Sequence, residues 1–128
     1  MRLLRVAVLA LVLGLAGAGA SQAQYVMDLG ELIYAITVGD FDDDIERLDR
    51  ANRVYVERVS RLSGIRISGA ALDRAVDRRW RVLSYLQARI RQVPEAMKAL
   101  KRHNATVDQV IWMTATNDGS ASLYIDDR

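Results

Sequence analysis

Apolar positions open the chain as an unbroken run, Val6 to Ala20, built from Val, Leu, Ala and Gly behind Arg2 and Arg5. A positive start, a short apolar centre and small residues before a cut site form the pattern of a bacterial-type secretory signal peptide. Ser21-Gln22-Ala23 is the preferred cut site, leaving Gln24 as the mature N-terminus, with Ala18-Gly19-Ala20 as the alternative. The run is shorter than the roughly 20 residues a spanning helix needs, and its second half is rich in Gly and Ala. Residues 1–23 are therefore expected to be removed, and residues 24–128 to form one small domain in the periplasm or secreted beyond it.

Past Gln24 the pattern becomes periodic. Leu29, Leu32, Ile33 and Ile36 recur at helical spacing behind an Asp28/Glu31 capping box, although Ile33 to Val38 also has the composition of a strand. Gly39 ends the element on either reading. Ile45, Leu48 and Ala51 then share one face of a second helix, whose acidic first turn caps free N–H groups and opposes the helix dipole. Val54, Tyr55, Val56 and Val59 are the residue types a pleated surface favours, and they predict a strand near 53–60. A continued helix through Leu62 would leave Val54 and Val56 off its apolar stripe.

The longest periodic stretch predicts a helix over 70–92, with Leu72, Val76, Leu83, Leu86 and Ile90 inward, Trp80 at the margin and Asp73, Asp77, Arg81 and Arg89 outward. Pro94 ends it and starts a short helix that packs Met97 and Leu100 and closes at His103 and Asn104. Residues 109–126 predict a hairpin: Val110 to Met113 is apolar on both faces, Asn117-Asp118-Gly119 is a tight turn, and Ala121, Leu123 and Ile125 alternate with Ser120, Ser122 and Tyr124. The first hairpin strand is expected to be central, and the second to turn one face to water. The expected fold class is α+β, a small antiparallel sheet of the strand near 53–60 and the hairpin 109–126, packed by the long helix and shorter ones.

Composition narrows the chemistry. Without cysteine there are no disulfides, thiol nucleophiles or thiolate metal sites, and no cysteine to carry a lipid anchor. The chain holds 18 Lys and Arg against 16 Asp and Glu, and Arg2 and Arg5 leave with the leader, so the mature domain is formally neutral. That excludes a global pull toward nucleic acid. Charge is instead segregated: Asp40 to Asp49 carries six acids and one arginine, whereas Arg50 to Arg91 carries eleven arginines and three acids.

Asp40-x-Asp42-x-Asp44 matches the opening of a calcium loop, but Ile45 stands where a turn glycine is needed and Ala51 where a bidentate Glu is needed. Asp40, Asp42 and Asp44 are thus candidates only for a loose divalent site, and the acidic run reads first as a helix start. His103, the single histidine, sits between Arg102 and Asn104, where it caps carbonyls. No Ser-x-x-Lys spacing and no glycine-rich phosphate loop occur. Asn104-Ala105-Thr106 fits a glycosylation triplet but reads as a helix stop.

Arg79 falls inside the apolar stripe of the long helix, between Val76 and Leu83; either its stem lies on the core while its head reaches water, or it forms the expected ion pair with the acidic segment Asp40 to Asp49. Arg74, Arg78, Arg81 and Arg89 fall on the solvent side with Arg91, forming a candidate basic interaction surface. No cofactor is expected. The function expected first is a non-enzymatic envelope domain that binds another protein through a sheet edge or the arginine-bearing helix. The alternatives are binding of anionic lipid or polysaccharide through those arginines, and a small hydrolase or metal-dependent enzyme using His103 or the Asp40–Asp49 acids.

Overall fold

A computed structural model describes residues 25–128. The expected signal peptide, 1–23, lies outside the described residues. Five helices and three strands follow one another: α1 Leu29–Val38, α2 Asp42–Asp49, β1 Arg53–Arg58, α3 Ile65–Arg78, α4 Trp80–Ile90, α5 Pro94–Arg102, β2 Val110–Ala115 and β3 Ser120–Ile125. The fold is α+β, as the periodicities predict.

Helix α1 starts on the expected capping box. The Asp28 carboxylate accepts from the Glu31 N–H at 2.8 Å, and the Glu31 carboxylate accepts from the Asp28 N–H at 2.9 Å. Two donors that a helix start leaves unpaired are thereby satisfied. Leu29, Leu32 and Ile36 are fully buried, which settles the segment as helix rather than strand. Helix α2 buries Ile45 and Leu48, but its N-cap is Phe41 and no side chain caps it. Its first-turn carboxylates therefore act on the helix dipole, not as caps. Helix α5 closes as expected, with His103 as C-cap and Asn104 in the left-handed region at φ 56°.

The long helix is broken where the sequence reading has it continuous. Arg79 leaves helical geometry at φ −115° and ψ 21°, and the two halves bury separate faces, Leu72 and Ala75 on α3, Leu83, Leu86 and Ile90 on α4. From this joint the Arg79 guanidinium reaches the end of α1. It donates to the carbonyls of Ile36 at 2.8 Å, Thr37 at 2.6 Å and Gly39 at 3.0 Å. The expected ion pair with the acidic segment is therefore replaced by a helix cap. The physical reason is that α1 has no basic residue in its last turn, and a planar guanidinium matches a cluster of unpaired carbonyls at the negative end of a dipole.

The sheet runs in the order β1-β3-β2. The hairpin pairs antiparallel as expected, but β1 joins β3 in parallel, from Arg53 opposite Ser120 to Arg58 opposite Ile125. The sheet is thus mixed, and β3, rather than β2, is central. The N–H groups of Asn52 and Arg53 both donate to the Gly119 carbonyl, at 3.0 and 3.1 Å, so β1 and β3 begin side by side and run the same way. All six residues of β3 are buried, Ser120, Ser122 and Tyr124 included. Helices α2 and α4 lie against β2, and α5 lies against β1. No described helix is long and apolar enough to cross a membrane.

The C-terminal residues fasten the layers together. Asp126 donates its N–H to the Gln109 carbonyl at 2.8 Å, and Asp127 accepts from the N–H and hydroxyl of Ser60. Arg128 bridges Asp126 and Asp73, and its guanidinium holds the Asp126 carboxyl below the usual carboxylate range.

Two outcomes follow from these contacts. Arg79→Ala is expected to destabilise the domain by about 2 kcal/mol in urea denaturation, with Arg79→Lys recovering less than half, because an ammonium cannot span the three carbonyls. A group whose folded pKa is depressed contributes stability above its unfolded pKa and loses it as the pH falls through the folded value. Asp126→Asn is accordingly expected to lower the melting temperature at pH 7, the difference closing below about pH 3.9.

Candidate functional site: the open sheet edge

A three-stranded sheet has two edges. Along β2 the outer side is covered where the strand begins, the Gln87 side-chain amide donating to the Val110 carbonyl at 3.0 Å and the Asp108 carbonyl at 3.2 Å. Further along, Met113 and Ala115 alternate with the paired residues Trp112 and Thr114 and turn their backbone groups outward. Burial pushes the nearby Asp44 carboxyl up despite Arg47 at 3.2 Å.

Along β1 no hydrogen-bonded partner lies on the outer side among the described residues. In a parallel ladder, alternate residues direct both backbone groups to the same neighbour. The bond from Arg53 to Gly119 and the register with Ser120 turn Arg53, Tyr55 and Glu57 toward β3. The N–H and C=O of Val54 and Val56 therefore face outward, and among the described residues they have no hydrogen-bond partner. The side chains divide between the two faces. Val54 and Val56 share one face with Ala121 and Leu123, while Arg53, Tyr55 and Glu57 share the opposite face with Ser120, Ser122 and Tyr124.

Each of those three β1 side chains has its own setting. Arg53 donates to the Asp118 carbonyl at 3.1 Å and the Ser120 hydroxyl at 3.0 Å through one terminal nitrogen, and lies 3.7 Å from the Asp118 carboxylate. Tyr55 is half-buried. Glu57 is also half-buried, and burial pushes its carboxyl up; among the described residues it has no hydrogen bond or ion pair. Its register neighbour Tyr124 accepts from the Met27 N–H at 3.0 Å. Burial raises the Tyr124 hydroxyl, that hydrogen bond opposes the rise, and the charge of Glu57 adds to it. A groove of about 340 Å³ runs on along this face over Thr114, Ser122 and Tyr124 toward Tyr25.

The residues singled out from sequence are placed elsewhere. Asp40 and Asp42 line a cleft of about 360 Å³ with Phe41, Arg79, Arg81 and Tyr85, while Asp44 pairs with Arg47. Among the described residues no group of three acids or histidines is set to hold a metal ion. His103 is exposed, and its carbonyl accepts from Arg58. Arg74, Arg78 and Arg81 are exposed and Arg89 is half-buried. Arg81 lies over the Trp80 ring at 5.4 Å and Arg89 over the Tyr85 ring at 6.0 Å, two cation–π pairs that expose aromatic as well as basic surface. Arg91 pairs with Asp108 at 2.9 Å.

The candidate edge residues Arg53, Tyr55 and Glu57 were not among the expected site residues. Their strand was expected, but nothing in its local pattern says which side faces a neighbour. A scan against protein-family models, a search of curated proteins and a search of solved structures each return no match.

Amide hydrogen exchange followed by NMR tests the edge directly. Val54 and Val56 are expected to exchange at least about tenfold faster than Tyr55 and Glu57 in dilute protein, since only the latter pair donates into the sheet.

Proposed function

We propose that this chain is an exported, non-enzymatic protein-interaction domain, freed from its leader after Ala23, that works in the bacterial envelope by adding a partner's strand to β1. The observation behind this reading is the unpaired backbone of Val54 and Val56 along β1, flanked by Arg53, Tyr55 and Glu57 on one face. Exposed sheet edges are usually blunted, and an edge left open and flanked by specific side chains is the template used in strand addition. Backbone hydrogen bonds then supply affinity, and the alternate side chains Arg53, Tyr55 and Glu57 supply selectivity.

A second reading, binding of an anionic lipid or polysaccharide, rests on the exposed arginines Arg74, Arg78 and Arg81 and on Trp80, which is 58% exposed and lies beneath Arg81. The acids of the adjoining cleft, Asp40 and Asp42, weaken it, because they oppose the positive field such ligands need. Enzymatic use of His103 has less behind it, as the ring stands at an exposed helix end.

The test is a photoreactive benzoylphenylalanine in place of Tyr55, expressed in cells from the full sequence. Irradiation is expected to give a discrete crosslinked species in the envelope fraction, reduced when Val56→Pro removes an outward N–H. The same probe in place of the exposed Lys98 serves as the comparison. A yield at Tyr55 no higher than at Lys98 would end the edge assignment.

A further inference from the structure

The open edge is self-complementary. Arg53-Val54-Tyr55-Val56-Glu57 keeps its character when read from either end, with a central tyrosine, a valine on each side and opposite charges at the limits. We infer that the strand received by β1 is β1 of a second copy, paired antiparallel about a two-fold axis at Tyr55; this rests on the edge reading above and names its partner.

The register follows from the outward groups. With the axis at Tyr55, Val54 of one copy meets Val56 of the other, and their free N–H and C=O groups satisfy each other in two hydrogen-bonded pairs. The same superposition sets Arg53 opposite Glu57 twice, on the sheet face where Glu57 otherwise stands without a partner. Directly opposed side chains in an antiparallel pair are close enough for a salt bridge. Arg53 is suited to a second carboxylate, because only one terminal nitrogen is engaged with Asp118 and Ser120 and a guanidinium carries five N–H donors.

Other symmetric registers lose this match. An axis at Val56 places Glu57 against Tyr55 and leaves the carboxylate unpaired, while an axis at Glu57 sets two carboxylates face to face. Only the Tyr55 axis pairs both charges. The product is an isologous dimer with a continuous six-stranded sheet, whose outer edges are the two β2 strands. Each β1 edge is used up by the other, so the pairing closes at two copies.

Sedimentation of the purified protein at a concentration on the order of 100 µM tests the inference, with a dimer expected. Val56→Pro is expected to shift it to monomer. Arg53→Glu and Glu57→Arg each set like charges opposite one another and are expected to weaken self-association by about tenfold or more. An equimolar mixture of those two variants should recover the dimer, because each altered strand then meets its complement, and that recovery also shows that both remain folded. A wild-type chain that stays monomeric, or a dimer indifferent to all three substitutions, overturns the second-copy assignment, and a mixture that fails to recover overturns this register. Crosslinks from position 55 to a different envelope protein would then leave the edge reading standing without the dimer, whereas crosslinks to nothing would end both.

Discussion

A strand buried along its whole length must have its backbone paired on both sides, and β3 imposes that requirement on the rest of this domain. Its six residues are all buried, so water cannot satisfy the N–H and C=O groups that a single neighbour would leave over. The tight turn delivers β2 to one side. On the other side the requirement is met by β1, arriving from a distant part of the chain with its first residues bonded to Gly119. Once β3 occupies the centre, the edges are decided as well: one belongs to β2, the other to β1.

A similar demand for pairing explains the use of Arg79. Helix α1 ends with unpaired carbonyls close to the core and no cation of its own. A guanidinium from the α3–α4 joint fills that place. Breaking one long helix there lets each half turn its apolar face inward while the charge sits at the joint. The acidic segment next to it is then free to do other things, and Asp44 pairs with Arg47 at 3.2 Å.

Edge backbone is the feature of this sheet that bears on function. Unpaired edge groups exposed to water cost little in stability but invite another strand. The β1 edge carries two such residues, Val54 and Val56, and Glu57, a carboxylate that burial disfavours and no described residue compensates. Both features become favourable when another strand arrives, which connects the local chemistry to an interaction role.

Local physics was legible in the sequence. The Asp28/Glu31 box announced α1, residue types at 53–58 announced a strand, Asn117-Asp118-Gly119 announced the hairpin turn, and helical periodicity located the buried leucines of α3 and α4; each depends on interactions within a few residues. Strand order, the parallel direction of β1, the break at Arg79 and the partner of that arginine were not legible, because they are set by pairing between segments some 40 to 70 residues apart. For the same reason the strand near Tyr55 could be foreseen, but not its place at the edge. Alternation along a strand reports which side chains face the core, whereas the side on which the backbone is left open is decided only when every other strand has taken its place.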